Sequence, residues 1–317
     1  MPARARVLTV GAGKDYATPA AAAAAAAAGD EVRIAPGSYY DCAVWHADNL
    51  LIAGSGPDTV LTDSACQGKA SFVITGAHVT VRDLTFARIR VPDGNGAGIR
   101  AEGRDLHIER VRFINDQVGL LAAGIAGGTI AFRNCSFTDV GVADARRSIA
   151  AIMASDSVDR LEIHGTTFSD DRAGIAIHSD AEETVITDSR IDAARLPSGP
   201  TVQVSGGLVM EGTQVQAGPV RGARLAAVQA LPARSGAPPL VLRRDRLEGA
   251  GILLLNWSGR TAMLEGNEVG PHGIETTADG RWSYWARSNA RATYSALRTL
   301  AGHAYRAARA TLQRIVP

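Results

Sequence analysis

Lysine is almost missing from this 317-residue chain: Lys14 and Lys69 are the only two, so arginine supplies nearly all of the 33 basic side chains set against 32 acidic ones. The formal charge of +1 leaves no global field to hold the protein on nucleic acid, and excludes a partner of that class recruited by charge. Cysteine is scarce and odd in number. Cys42, Cys66 and Cys135 have neither metal-ligand spacing nor a redox pair, which predicts buried free thiols. No apolar run approaches the roughly 18 residues of a membrane span. The opening Met-Pro-Ala-Arg-Ala-Arg runs into strand-like Val7-Leu-Thr-Val10 without a secretory leader. By that criterion a cytoplasmic location is expected, and an exported one if the sequence is trimmed, so the compartment stays open between the two. A Gly-rich phosphate loop followed by Lys, a Gly-x-Ser-x-Gly elbow and a His/Cys cluster are also lacking, so nucleotide, α/β-hydrolase and zinc chemistry have no motif to rest on.

What is present is core-forming: 46% of the side chains are hydrophobic, which excludes disorder and predicts one elongated domain or one domain plus an appendage. Near the start, Thr18 is placed to N-cap a helix, Pro19 suits its first position, alanines fill 20–28 and Gly29 can close it in a left-handed conformation. So bland a helix needs packing to hold it, which predicts a cap across the end of the core. From residue 79 a pattern recurs. Val79-Thr-Val-Arg-Asp-Leu-Thr-Phe86, Leu106-His-Ile-Glu-Arg-Val-Arg-Phe113, Ile130-Ala-Phe-Arg-Asn-Cys-Ser-Phe137 and Leu161-Glu-Ile-His-Gly-Thr-Thr-Phe168 share one template, with weaker copies ending at Ile191, Val215, Leu247 and Val269. The period is about 26 residues, the range of a solenoid. Gly-led strands such as Gly98-Ile-Arg-Ala101 and Gly174-Ile-Ala-Ile177 fall between copies. Repeats with short strands and no helix bury an apolar face only when stacked, strand on strand, at about 4.8 Å. The fold class expected is therefore all-β, a parallel β-helix.

The opening Leu8-Thr-Val-Gly-Ala-Gly-Lys-Asp-Tyr-Ala-Thr18, the alanine helix, Gly29-Asp-Glu-Val-Arg-Ile34 and Pro36-Gly-Ser-Tyr39 resemble the N-terminal cap and first coil of right-handed parallel β-helix proteins of the pectin-lyase-like superfamily. The resemblance covers about residues 7 to 275. Pectin methylesterases open in a similar way, but their Gln-Asp-Thr, Asp-Phe-Ile-Phe-Gly-like and Arg-Pro-Trp segments are absent. Of the polygalacturonase pattern only Asp170-Asp171 is matched, and the Asp-Pro-His-Asp of alginate epimerases is missing. The resemblance implies an active face between each large apolar end mark and the next Gly-led strand.

On that face the candidate catalytic residues are Asp116, Asp170, Asp171, Arg172 and His178, and the candidate substrate-binding residues are Arg100, Asn115, Arg146 and Arg147. Strand alternation turns His178 outward if Ile175 and Ile177 point in, and Arg100 likewise if Ile99 does. Paired carboxylates suit a glycosidase; arginines suit a uronate carboxylate and the proton abstraction of a lyase or epimerase; carboxylates with Asn115 suit Ca2+. The bland alternative is that Asn115, Asp116 and Asp170 shape turns and that Arg146 and Arg147 are solvated. No acidic residue follows Asp279, whereas seven arginines do, with Tyr294, Leu297, Ala301, Ala304, Tyr305, Ala308, Leu312 and Ile315 at helical spacing. Residues 1–279 are expected to form the β-helix domain, and 280–317 an amphipathic helix that caps it or contacts a membrane or a protein through 281–317. The expected function is action on an acidic polysaccharide, lyase or epimerase ahead of hydrolase, by a monomer. Its rival is a non-catalytic glycan-binding or scaffold protein.

Overall fold

A computed structural model describes residues 5–122, 127–141, 150–169, 175–193, 200–217, 225–249, 251–271 and 273–278. The repeat template is two strands rather than one. In the coil that opens at Val79, strand Val79–Arg82 belongs to a first sheet, Thr85–Ala87 to a second, and Ala97–Ala101, the Gly-led strand, to a third. Successive coils place their strands in the same three sheets, of eleven, ten and ten strands among the described residues, every neighbour parallel and one coil away in sequence. The bend between the first and second strands is set by the template's middle position. Asp83, Arg110, Asn134, Gly165, Asp188, Gly212, Arg244 and Gly266 stack there with φ between 49° and 64°. Gly, Asn and Asp tolerate that conformation, and Arg110 is held by both oxygens of Asp83 at 2.7 and 2.9 Å.

Inside, the end marks of the template meet face to face. Phe86, Phe113, Phe137 and Phe168 are fully buried and stack with centroids 5.5, 4.7 and 4.7 Å apart, extended by Phe72 and Trp45 edge-on. Parallel in-register pairing makes this unavoidable, because identical template positions fall on top of one another.

The helix spans Pro19–Ala25, with Thr18 Oγ1 accepting from the Ala21 amide at 3.3 Å. It ends three alanines before the expected close, since Asp30 Oδ2 accepts from the Ala27 amide at 2.9 Å and Ala26 turns extended. Gly29 is left-handed, φ 83°, but stands beyond the helix end. Ala22 and Ala23 join the main core. The expected helix over 280–317 lies outside the described residues, and no described helix is long and apolar enough to cross a membrane.

Free thiols at all three cysteines are not what the structure shows. Cys42 and Cys66 form a disulfide across a separation of 24 residues, one coil, and only Cys135 is a buried free thiol. The pair is invisible in the sequence because no repeat is legible before residue 79, and vertical neighbours there could not be recognised. A loop of this size constrains the unfolded chain by about 3 kcal/mol. Cys42→Ser is expected to lose that much in denaturant unfolding, and reductant to weaken the parent but not the variant. A parent indifferent to reductant would contradict the bridge.

Candidate functional site

On the third sheet the next-to-last residue of each strand faces away from the main core, and coil stacking aligns these into a column. In register they are Val44, Val73, Arg100, Leu121, Met153, His178, Gln203, Gln229 and Leu255. At one end Lys69 Nζ lies 2.7 Å and Arg100 Nε 3.5 Å from the same Glu102 oxygen, so two cations share one carboxylate. The middle is apolar and closed: Leu121 is buried in a small cluster with Val73, Ala97 and Val118, and Met153 packs against it. Three coil steps from Arg100, about 14 Å at the usual strand spacing, His178 opens a polar stretch.

His178 is half-buried. Its Nδ1 lies 2.9 Å from Gln203 Oε1 and its Nε2 3.2 Å from Asp180 Oδ2. The Asp180 hydrogen bond raises the imidazole above its ordinary value, outweighing burial, which lowers it. The same bond holds Asp180 below the usual carboxylate range. Ser205 Oγ donates to the other Asp180 oxygen at 2.7 Å, and Gln203 Nε2 donates to Gln229 Oε1 at 2.7 Å.

Asp180 is also a wall of a cavity of about 620 Å³ at the turns from the third sheet back to the first. Neighbouring coils make that turn with residues as few as Ser205 and Gly206, whereas 231–239 arches outward. Arg234 on the arch pairs with Asp156, 78 residues earlier in the chain. Asp159, Glu182 and Ser205 complete the polar lining. The volume lies in the range that encloses a small ligand, and carboxylates and hydroxyls accept from a polyhydroxylated one.

Of the residues expected on the active face, Arg100 and His178 do stand outward in one column. Asp116 does not: it is fully buried, Oδ1 accepts from the Ile89 amide at 2.9 Å and Oδ2 has no hydrogen-bond partner. With Gln117, whose Oε1 accepts from the Val91 and Gly96 amides, it pins the 88–96 connection of the preceding coil. Burial pushes its carboxyl up to about 8. Asn115 is a left-handed turn residue, φ 54°, whose Oδ1 is taken by Arg90. Turn chemistry therefore accounts for both, and neither offers a ligand to Ca2+. Among the described residues no three His, Cys, Asp or Glu side chains group as metal ligands. Arg146, Arg147, Asp170, Asp171 and Arg172 lie outside the described residues. Asn256, which opens an Asn-Trp-Ser tripeptide, is 8% exposed and its amide is committed to Arg260 O and to Ser258, so it is closed to glycosylation as folded.

Asp180, Ser205, Gln203 and Gln229 were missed in the sequence. A signal existed: Gln203 and Gln229 follow His178 by steps of 25 and 26 residues, the period of the repeat.

No protein-family model matches the chain, and no curated protein matches it in sequence. Solved structures do. A pectin methylesterase in complex with a hexasaccharide superposes with a TM-score of 0.50 at 12% identity, covering 86% of this chain and 93% of that one. A pectin methylesterase from Erwinia chrysanthemi gives 0.47 at 11%, covering 87% and 93%, and an alginate lyase from a Paenibacillus species 0.37 at 14%, covering 85% and 99%. At such identities the likeness speaks to architecture. The chain has a right-handed parallel β-helix fold, like that of the hexasaccharide-bound pectin methylesterase.

Proposed function

We propose that the protein is a carbohydrate-active β-helix that acts on an acidic polysaccharide laid across the coils on the outward column of the third sheet. The observation that carries this is the His178–Asp180 pair standing beside the cavity, on the same outward column as Arg100. A sugar chain running along the column would place a uronate carboxylate on Arg100, while His178 exchanges a proton with the residue over it. At three coil steps Arg100 serves a neighbouring sugar rather than the reacting one. Asp170, Asp171 and Arg172, which precede the His178 strand in sequence, are assigned to the reacting end. Lyase or epimerase chemistry is assigned on the His178–Asp180 pair as the proton-transfer group. The first test is incubation with uronate-containing polysaccharides, following unsaturated products and reducing ends. Unsaturated product is expected, falling about a hundredfold or more in His178→Ala, and reducing ends without unsaturation would point to hydrolysis.

A second reading, glycan binding without turnover, is favoured by one fact: both His178 nitrogens and both Asp180 oxygens already have partners within the protein. Binding with neither product would support it. We assign the ends of the solenoid to caps. The helix at Pro19–Ala25 closes one, and residues 280–317 cover the other, where Met263 and Val269 are exposed on the last coil.

A further inference from the structure

The polar end of the column is a chain of hydrogen bonds with a direction. Ser205 donates to Asp180; the His178 ring bridges Asp180 and Gln203; Gln203 donates to Gln229. With Gln203 Nε2 committed to Gln229, its Oε1 faces His178 Nδ1, and that nitrogen must carry a proton. Nε2 faces a carboxylate and must carry one as well, since a lone pair 3.2 Å from an anion would repel it. The ring is thus satisfied only as the imidazolium. A neutral His178 would keep Nε2–H on Asp180 and turn Nδ1 into an acceptor. Gln203 would then have to present its NH2, so its oxygen would turn to Gln229, whose amide would have to turn as well. Gln229 is 6% exposed, which makes an independent turn of its amide costly. Apolar neighbours bound the relay in register, Met153 before His178 and Leu255 after Gln229. Among the described residues, the charged group on the ring is Asp180, just past the end of its strand; Arg234 of the arch, itself paired with Asp156, acts on Asp180, and Asp159 and Glu182 line the same cavity.

We propose that Gln203 and Gln229 are positioning residues that lock His178 in its doubly protonated form, so that the site releases this proton only when both amides turn together. The consequence for ligands rests on the glycan reading above. While the relay holds, a fixed cation neutralises Asp180 beside the cavity; once it turns, Asp180 keeps its hydrogen bonds but its charge is no longer offset, and an anionic glycan is repelled.

His178 ring NMR signals followed across pH in the full chain test the relay without any ligand. In the parent, the midpoint is expected above that of an ordinary histidine, with both nitrogens protonated below it. Gln229→Met keeps the side-chain volume but frees Gln203 to turn alone. It should weaken proton affinity at His178 several-fold although residue 229 does not touch the ring, and Gln203→Met should weaken it about tenfold. Gln229→Glu, which only accepts, should hold Gln203 in place and move the midpoint the other way. If Gln229→Met leaves the midpoint unchanged in a folded protein, the coupled relay is wrong, and the glycan reading is untouched. If the midpoints move as stated but no uronate glycan binds, the relay stands and the glycan reading falls.

Discussion

Phe137→Ala is expected to cost about 3–5 kcal/mol in unfolding free energy, more than Phe168→Ala. Phe137 is fully buried between two stacked rings, with Phe132 tilted against it at 5.7 Å, whereas Phe168 closes the described stack with one ring neighbour. Its removal also opens space above Gly119, where an added Cβ would stand 2.3 Å from the Phe137 ring edge. The two positions are complementary in volume. Gly119→Val alone should therefore destabilise by overpacking, and combined with Phe137→Ala should recover part of the loss. Denaturant unfolding of the four proteins in this cycle measures the coupling. Additive losses, or a Phe137→Ala loss near 1 kcal/mol, would show that the neighbouring coils close the gap themselves. Because each coil touches mainly its neighbours, the damage should be local, and new proteolytic cuts should map around this coil.

The second large effect is in pH. Asp116 and Asp245 are buried, each with one oxygen bonded to a backbone amide and the other without a partner. Desolvation pushes Asp116 up to about 8 and Asp245 up to about 7. An unfolded aspartate titrates near 4, so between about pH 4 and pH 8 the native chain holds protons that the unfolded chain has lost. Their contribution is fully present below about pH 4 and is lost as pH rises through the folded values. Asp30 works the other way. Hydrogen bonds from Arg6 lead the effects that bring it down to about 2, so its contribution is present above about pH 4 and lost below. Stability is therefore expected to peak on the acid side and to fall by several kcal/mol toward pH 8.5. Asp116→Asn keeps the oxygen that accepts from Ile89 and removes the ionisation. The variant should match the parent at pH 4.5 and exceed it at pH 8.5. Thermal melts across that range decide the matter, and equal curves for parent and variant would mean that Asp116 does not carry this dependence.

Asp245 also shows how a repeat re-uses one position. It follows the left-handed turn residue Arg244, as Thr213 follows Gly212 and Asn267 follows Gly266. Asp245 accepts from the Thr213 amide and Asn267 from the Asp245 amide, both at 2.9 Å, whereas Leu84 and Val111 hold the equivalent place in earlier coils with no polar group at all. The turn carries a polar ladder in the later coils and an apolar one in the earlier coils.

Sequence alone determined the solenoid, the phenylalanine stack and the Thr18–Pro19 start of the helix, because each depends on local pattern: a period near 26 residues, a large apolar end mark, a cap before a proline. It also placed His178 outward next to inward Ile177 and Arg100 next to inward Ile99, but strict alternation does not run the length of these strands, since Ala176 joins the main core and Ile175 does not. Tertiary structure alone decided which residues meet across coils. Cys42 found Cys66, Gln203 found His178 and Gln229 found Gln203 by vertical stacking whose register the irregular connections hide, and the 231–239 arch reached Asp156, 78 residues back. It also decided burial in the connections. Asp116 reads as a surface carboxylate beside Asn115, yet the 88–96 segment of the coil before it draws it inside as a backbone acceptor. The physical reason is common to all of these. A parallel β-helix makes its decisive contacts between chain segments a full coil apart, and a short sequence window carries the direction of a side chain but not the identity of its vertical neighbour.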